Sequence, residues 1–151
     1  MILFDTYEIT KNTLAIIPID SKRSEVIEEN DTFIINKCST KIVDDSCKFF
    51  GSSLDGRQEG TKNLIGVNYK APIIVEETND VIFFPTNSPR IVDCTWISLN
   101  NLENYKRNDN KTQILFKNGK TIDISISYGS LENQVLRSTR LESILRKRKN
   151  I

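Results

Sequence analysis

The stretch TQILFKNGKTIDISIS, residues 112–127, reads as a β-hairpin whose turn decides which of two faces is buried. A two-residue Asn118-Gly119 loop puts Leu115 opposite Ile122 and leaves Ile114 facing Asp123. A three-residue loop, 117–119, sets Ile114 opposite Ile122 and Phe116 beside Lys120. That second register gathers Ile114, Phe116, Ile122, Ile124 and Ile126 on one face, and burying the face outweighs the small difference between turn types. The expected turn is type I, with Gly119 in the left-handed region as a G1 bulge.

Similar strand signals recur upstream. Runs 7–10, 13–19, 25–29 and 32–36 are rich in β-branched residues and separated by turn formers such as Lys11-Asn12 and Asn30-Asp31. NYKAPIIVEETNDVIFFPT reads as two strands joined at residues 78–80. Pro72 and Pro85 sit near their ends, where a missing donor does least harm to a ladder. A further strand holds Trp96, whose apolar context makes it a core anchor.

After the hairpin the hydrophobic period changes, and GSLENQVLRSTRLESILRKRKN reads as a helix. Ser130 is its expected N-cap, Glu132 lies in the positive first turn, and Arg146, Lys147, Arg148 and Lys149 fill the last turn. Leu131, Val135, Leu141 and Leu145 fall within about 120° of one another, a stripe wide enough to dock on a sheet. Arg137, Arg140, Lys147 and Arg148 take the opposite face. Leu136 and Ile144 lie among them, expected to meet a second layer, another subunit or a ligand. Shorter helices are expected in SLNNLENYKR and in SSLDGRQEGTKNLI, the latter capped by Ser52 or Ser53. The expected fold is therefore α+β: a single domain over residues 1–151, of mostly antiparallel strands with a C-terminal amphipathic helix and one or two short helices.

The chemistry of the chain is bounded by what it contains. At 151 residues it is long enough for one domain with its own core. No apolar run approaches the roughly 18–20 residues that cross a bilayer, and the amino terminus carries Asp5 where an export signal stays apolar. A cytoplasmic protein without membrane contact is expected. Cys38, Cys47 and Cys94 are odd in number and lack CxxC spacing, so reduced thiols are expected, not a disulfide framework or zinc site. The chain has no histidine, which removes the commonest base for a serine or cysteine nucleophile and a common metal ligand. No enzyme activity, cofactor or metal is expected.

A net charge of +1 hides an uneven distribution: −4 over residues 1–46, +2 over 47–75, −3 over 76–110 and +6 over 111–151. A polyanion would choose the C-terminal third and the glycine-rich segment. That segment, CKFFGSSLDGRQEGT, has the glycine spacing of a phosphate loop but fails at both chemical positions. Arg57 stands for the lysine and Gln58 for the Mg²⁺-binding hydroxyl. Its glycines supply positive φ or close approach in a turn, or the segment offers amides and Arg57 to phosphates from a surface loop.

The blocks SCKFFGSSLDGRQEGT, KAPIIVEE…FFPT, CTWIS, FKNGKT…ISY and SLENQVLRSTRL follow one another in the order found in the ComK family of competence transcription factors. The chain resembles that family from about Tyr7 to Leu145. The resemblance implies an activator of genes for DNA uptake that binds AT-rich double-stranded DNA through the minor groove as cooperating homodimers. It also implies encounters with RNA polymerase or with an adaptor for regulated proteolysis. Longer relatives continue past the final helix in a tail that looks like the handle for that proteolysis. The sequence here ends at Ile151, so control through such a tail and full activator strength do not carry over. The candidate DNA contacts are Arg57, Lys62 and Lys70 around the glycine segment and Arg137 and Arg140 on the outer helix face. The alternative is a protein-interaction module of the same fold that has lost DNA binding.

Overall fold

The computed structural model describes residues 2–150. In chain order the elements are β1 (Ile2–Phe4), β2 (Thr13–Pro18), β3 (Ser24–Glu28), β4 (Thr32–Ile35), α1 (Ser39–Phe49), α2 (Leu54–Ile65), β5 (Ile73–Glu76), β6 (Val81–Pro85), β7 (Trp96–Ser98), β8 (Leu102–Asn108), β9 (Lys111–Phe116), β10 (Thr121–Ile124) and α3 (Tyr128–Lys149). They form a seven-stranded sheet, β1-β4-β3-β2-β7-β6-β5, and a three-stranded sheet, β10-β9-β8. Among the described residues, β1 with β4 is the parallel pair, and the other pairs are antiparallel. The protein is a single α+β domain, as the strand pattern implies.

Side-chain alternation sorts the large sheet into two buried faces. Ile16, Val26, Ile35, Ile73, Val75, Phe83 and Trp96 pack on one side with Ile42, Val43 and Cys47 of α1 and Leu54 of α2. Ala15, Phe84 and Ile97 point to the other side, where Ile114, Phe116 and Ile124 of the small sheet and Leu131 of α3 meet them. A third cluster joins Ile65 of α2 and Ile74 and Ile82 of the large sheet to Leu141 and Leu145 of α3. Buried Asn101 links the sheets: its amide donates to the carbonyls of Lys11 at 2.9 Å and Thr13 at 3.2 Å.

The hairpin adopts the three-residue loop. Ile114 faces Ile122, the Phe116 amide donates to the Lys120 carbonyl at 2.9 Å, and Gly119 has φ +91°. Four expectations fail locally. Residues 7–10 form no strand. There Ile9 is buried and its amide donates to Ser46 Oγ at 3.0 Å, while the Tyr7 hydroxyl donates to Glu28. SLNNLENYKR holds no helix, because its second half is β8, paired along β9. Helix α1 was not foreseen at all. Helix α3 begins earlier than expected: its N-cap is Ser127, whose Oγ accepts from the Ser130 amide, so Glu132 lies beyond the first turn.

Candidate nucleic-acid interface

The glycine segment resolves into the corner between α1 and α2. Gly51, at φ +88°, turns the chain out of α1, and Gly66, at φ +73°, closes α2. Ser53 is the α2 N-cap and accepts from the Gly56 amide at 3.0 Å, while Asp44 Oδ1 accepts from the Leu54 amide at 3.0 Å. These first-turn amides are thus taken by the protein itself. Burial alone would raise the Asp44 pKa, but the Leu54 amide and Lys48 pull it below the usual carboxylate value.

Alongside α2 runs an open groove of about 530 Å³. Its walls are α2, loop 66–72 and loop 86–95, and its cations are Lys62, Lys70 and Arg90. Asp55 and Glu59 of α2 also line it and partly offset that charge. Tyr69 is 63% exposed on one rim. Just past Arg90 in the other loop, Ile91 is 50% and Val92 52% exposed. Burying the rest of each β-branched side chain in a complex is worth on the order of 1 kcal/mol.

Both loops are held from beneath. Gln134 of α3 is buried, and its amide donates to the Lys70 carbonyl at 2.8 Å and the Pro85 carbonyl at 2.7 Å. Arg137 donates to the Tyr69 carbonyl at 3.2 Å and to Gln134 Oε1 at 3.3 Å. Lys70 itself has φ +49°, a backbone conformation that costs a non-glycine residue about 1–2 kcal/mol. On the other side, Thr40 donates to the Pro89 carbonyl at 3.1 Å and Asn87 to the Asp93 carbonyl at 2.7 Å.

The family model of the ComK protein matches residues 4–150. The chain belongs to the ComK family. Among its relatives is the competence transcription factor of Bacillus subtilis (strain 168), 40% identical over 143 residues that make up 92% of this chain and 74% of that protein. No solved structure matches.

Within this ComK-family fold the five residues expected at DNA separate by environment. Lys62 and Lys70 line the groove. Arg137 binds the groove loop. Arg140 is exposed on α3 near Leu136, which is 63% exposed, whereas Ile144 packs into the third core cluster. The Arg57 side chain is only 17% exposed and pairs with Glu77 at 3.3 Å, so a phosphate reaching it must displace that carboxylate. At the end of α3, Lys149 and Arg146 bind Asp80 at 2.7 and 3.3 Å and hold its carboxyl below the usual range, leaving Lys147 and Arg148 exposed. Arg90, Tyr69, Ile91 and Val92 went unnoticed in the sequence. The available signal was the isolated Pro-Arg-Ile-Val run, too short and too flanked by turn residues to read as a strand.

The cysteines sit away from any reactive arrangement. Burial pushes the Cys47 thiol up to about 12, against the opposing pull of Arg57, and the Cys94 thiol up to about 11. Cys38 is half-buried. A thiol reagent at pH 8 is therefore expected to modify Cys38 on the native protein and the other two only after unfolding, because reactivity follows thiolate fraction and access. Mass spectrometry of the labelled chain checks this; prompt native labelling of Cys47 would contradict it.

Proposed function

We propose that the protein is a DNA-binding activator of competence-gene transcription, acting in the cytoplasm on AT-rich duplex DNA through the minor groove as cooperating homodimers. Family membership supports the activator role. The observation that carries the DNA-binding part is the groove, where Lys62, Lys70 and Arg90 stand on well-anchored walls beside exposed Tyr69, Ile91 and Val92. Lysines there suit phosphate oxygens, which position a protein on the duplex without reading sequence. Arg137 and Arg140 extend the same basic surface along α3, and Arg57 joins it when a phosphate displaces Glu77.

The test is a gel shift on an AT-rich duplex across a salt series. Affinity is expected to fall with a slope of about −0.9 per phosphate neutralised, and Lys62→Ala and Lys70→Ala are each expected to reduce that slope by about one. Arg57→Ala is expected to change it less, because Glu77 already competes for the guanidinium. Folded protein that ignores AT-rich duplex even in dilute buffer would defeat this reading and leave the protein-interaction module in its place.

A further inference from the structure

Loop 87–93 carries three features that its place in the fold does not require. Arg90 is exposed, and the hydrogen bond found at this residue runs from its backbone amide to Ser88 Oγ, so the guanidinium is unengaged among the described residues. Ile91 and Val92 follow it with half their surface in water. The loop nevertheless has a fixed shape. Its neck is closed by the Thr86 amide on the Thr95 carbonyl at 2.8 Å and by Asn87 on the Asp93 carbonyl at 2.7 Å. Its tip is folded by the Ile91 amide on the Ser88 carbonyl at 3.1 Å and the Cys94 amide on the Val92 carbonyl at 2.9 Å. Thr40 of α1 fastens the Pro89 carbonyl to the body of the protein.

We infer that this loop is the element that enters the minor groove, with Arg90 as the residue that distinguishes A·T from G·C pairs and Ile91 and Val92 packed on the groove walls. The inference rests on the minor-groove reading proposed above. Size favours a loop. The minor groove is about 6 Å wide, whereas a helix with its side chains is about 10–12 Å across, so neither α2 nor α3 fits inside. Chemistry favours Arg90. A guanidinium has only donors; A·T pairs show only acceptors in that groove, and a G·C pair adds the donor amino group of guanine, which opposes it. The narrow groove of AT tracts is also the more negative one, and arginine sheds water more readily than lysine on entering it. The fixed shape lowers the ordering cost of insertion. Asp93 at the neck and Glu59 across the groove set a limit on how deeply phosphates approach.

Binding of the full chain to an AT-rich duplex and to a G·C-substituted duplex of equal length separates the outcomes. Arg90→Ala is expected to weaken AT-rich binding about tenfold while changing G·C-rich binding by less than about twofold, the signature of a base-reading contact. Arg90→Lys is expected to restore the salt slope but not the preference. The double variant Ile91→Ser with Val92→Ser, at exposed positions, is expected to weaken AT-rich binding several-fold with the slope unchanged. Equal losses on both duplexes for Arg90→Ala make it a phosphate contact and overturn the inference, as does wild-type binding by the double variant; the functional reading survives either result. A folded wild-type protein that binds neither duplex removes both.

Discussion

Replacing Gln134 by leucine is expected to cost about 3 kcal/mol of stability and to lower the melting temperature by about 6–12 °C. Leucine nearly fills the same volume but donates nothing, so the carbonyls of Lys70 and Pro85 lose the donor that now satisfies both. Pro85 is buried and cannot turn to water, and an unsatisfied buried acceptor costs about 1–3 kcal/mol. Lys70 is half-buried and recovers part of its loss, but its positive φ is no longer held. Arg137 loses one of its two acceptors at the same time. Asn133→Ala, one residue away and exposed, is the control and is expected to shift stability by less than about 0.5 kcal/mol. Thermal unfolding of the two variants side by side decides the matter. A Gln134→Leu variant as stable as the control would mean that the groove wall does not depend on α3. Because the same bonds fix the loop bearing Tyr69 and Lys70, affinity for AT-rich duplex is expected to fall with stability.

What could be read in the sequence was local. The 112–127 hairpin was legible to its register because only one pairing buries five apolar side chains together. Strands β2 to β6 were legible because β-branched runs alternate with turn formers, and the α2 cap because Ser53 precedes the helix in which Arg57, Lys62 and Thr61 lie. Elements decided by distant partners were not. Residues 102–108 have the polarity of an exposed helix, yet β9 offers them a ladder, and pairing overrode propensity. Helix α1 hid in a segment of mixed polarity. Its signal was the spacing of buried Ile42, Val43, Ser46 and Cys47 together with the Lys41–Asp45 and Lys48–Asp44 pairs one turn apart. At the site, charge type pointed to Lys62 and Lys70, but no sequence pattern tells that Arg57 faces Glu77, that Arg137 serves a backbone carbonyl, or that residues 90–92 project beside the groove. Those facts depend on which loops the third dimension brings together.

Trp96→Ala is expected to have the largest effect of any single change, about 4 kcal/mol out of the roughly 5–15 kcal/mol that a domain of this kind retains. Trp96 is fully buried on β7, paired with Ile16 of β2 on one side and Pro85 of β6 on the other, at the middle of the large sheet. Truncation removes its packing against both helices and leaves a cavity that neighbouring strands, fixed by their ladders, cannot close. The indole also reaches the interface. Its Nε1 donates to Thr40 Oγ1 at 3.3 Å, and the same hydroxyl donates to the Pro89 carbonyl at 3.1 Å. Trp96→Phe keeps most of the volume and is expected to cost only about 1–2 kcal/mol, so it separates support of the core from support of the loop. Denaturant unfolding followed by circular dichroism measures both variants, since the alanine and phenylalanine forms lack the chain's one tryptophan. If the core alone matters, Trp96→Phe binds AT-rich duplex like the wild type. If Thr40 needs the indole to hold the loop bearing Arg90, the phenylalanine variant stays folded but loses preference for A·T pairs, because a loop that must be ordered on binding discriminates through whatever energy remains after the ordering.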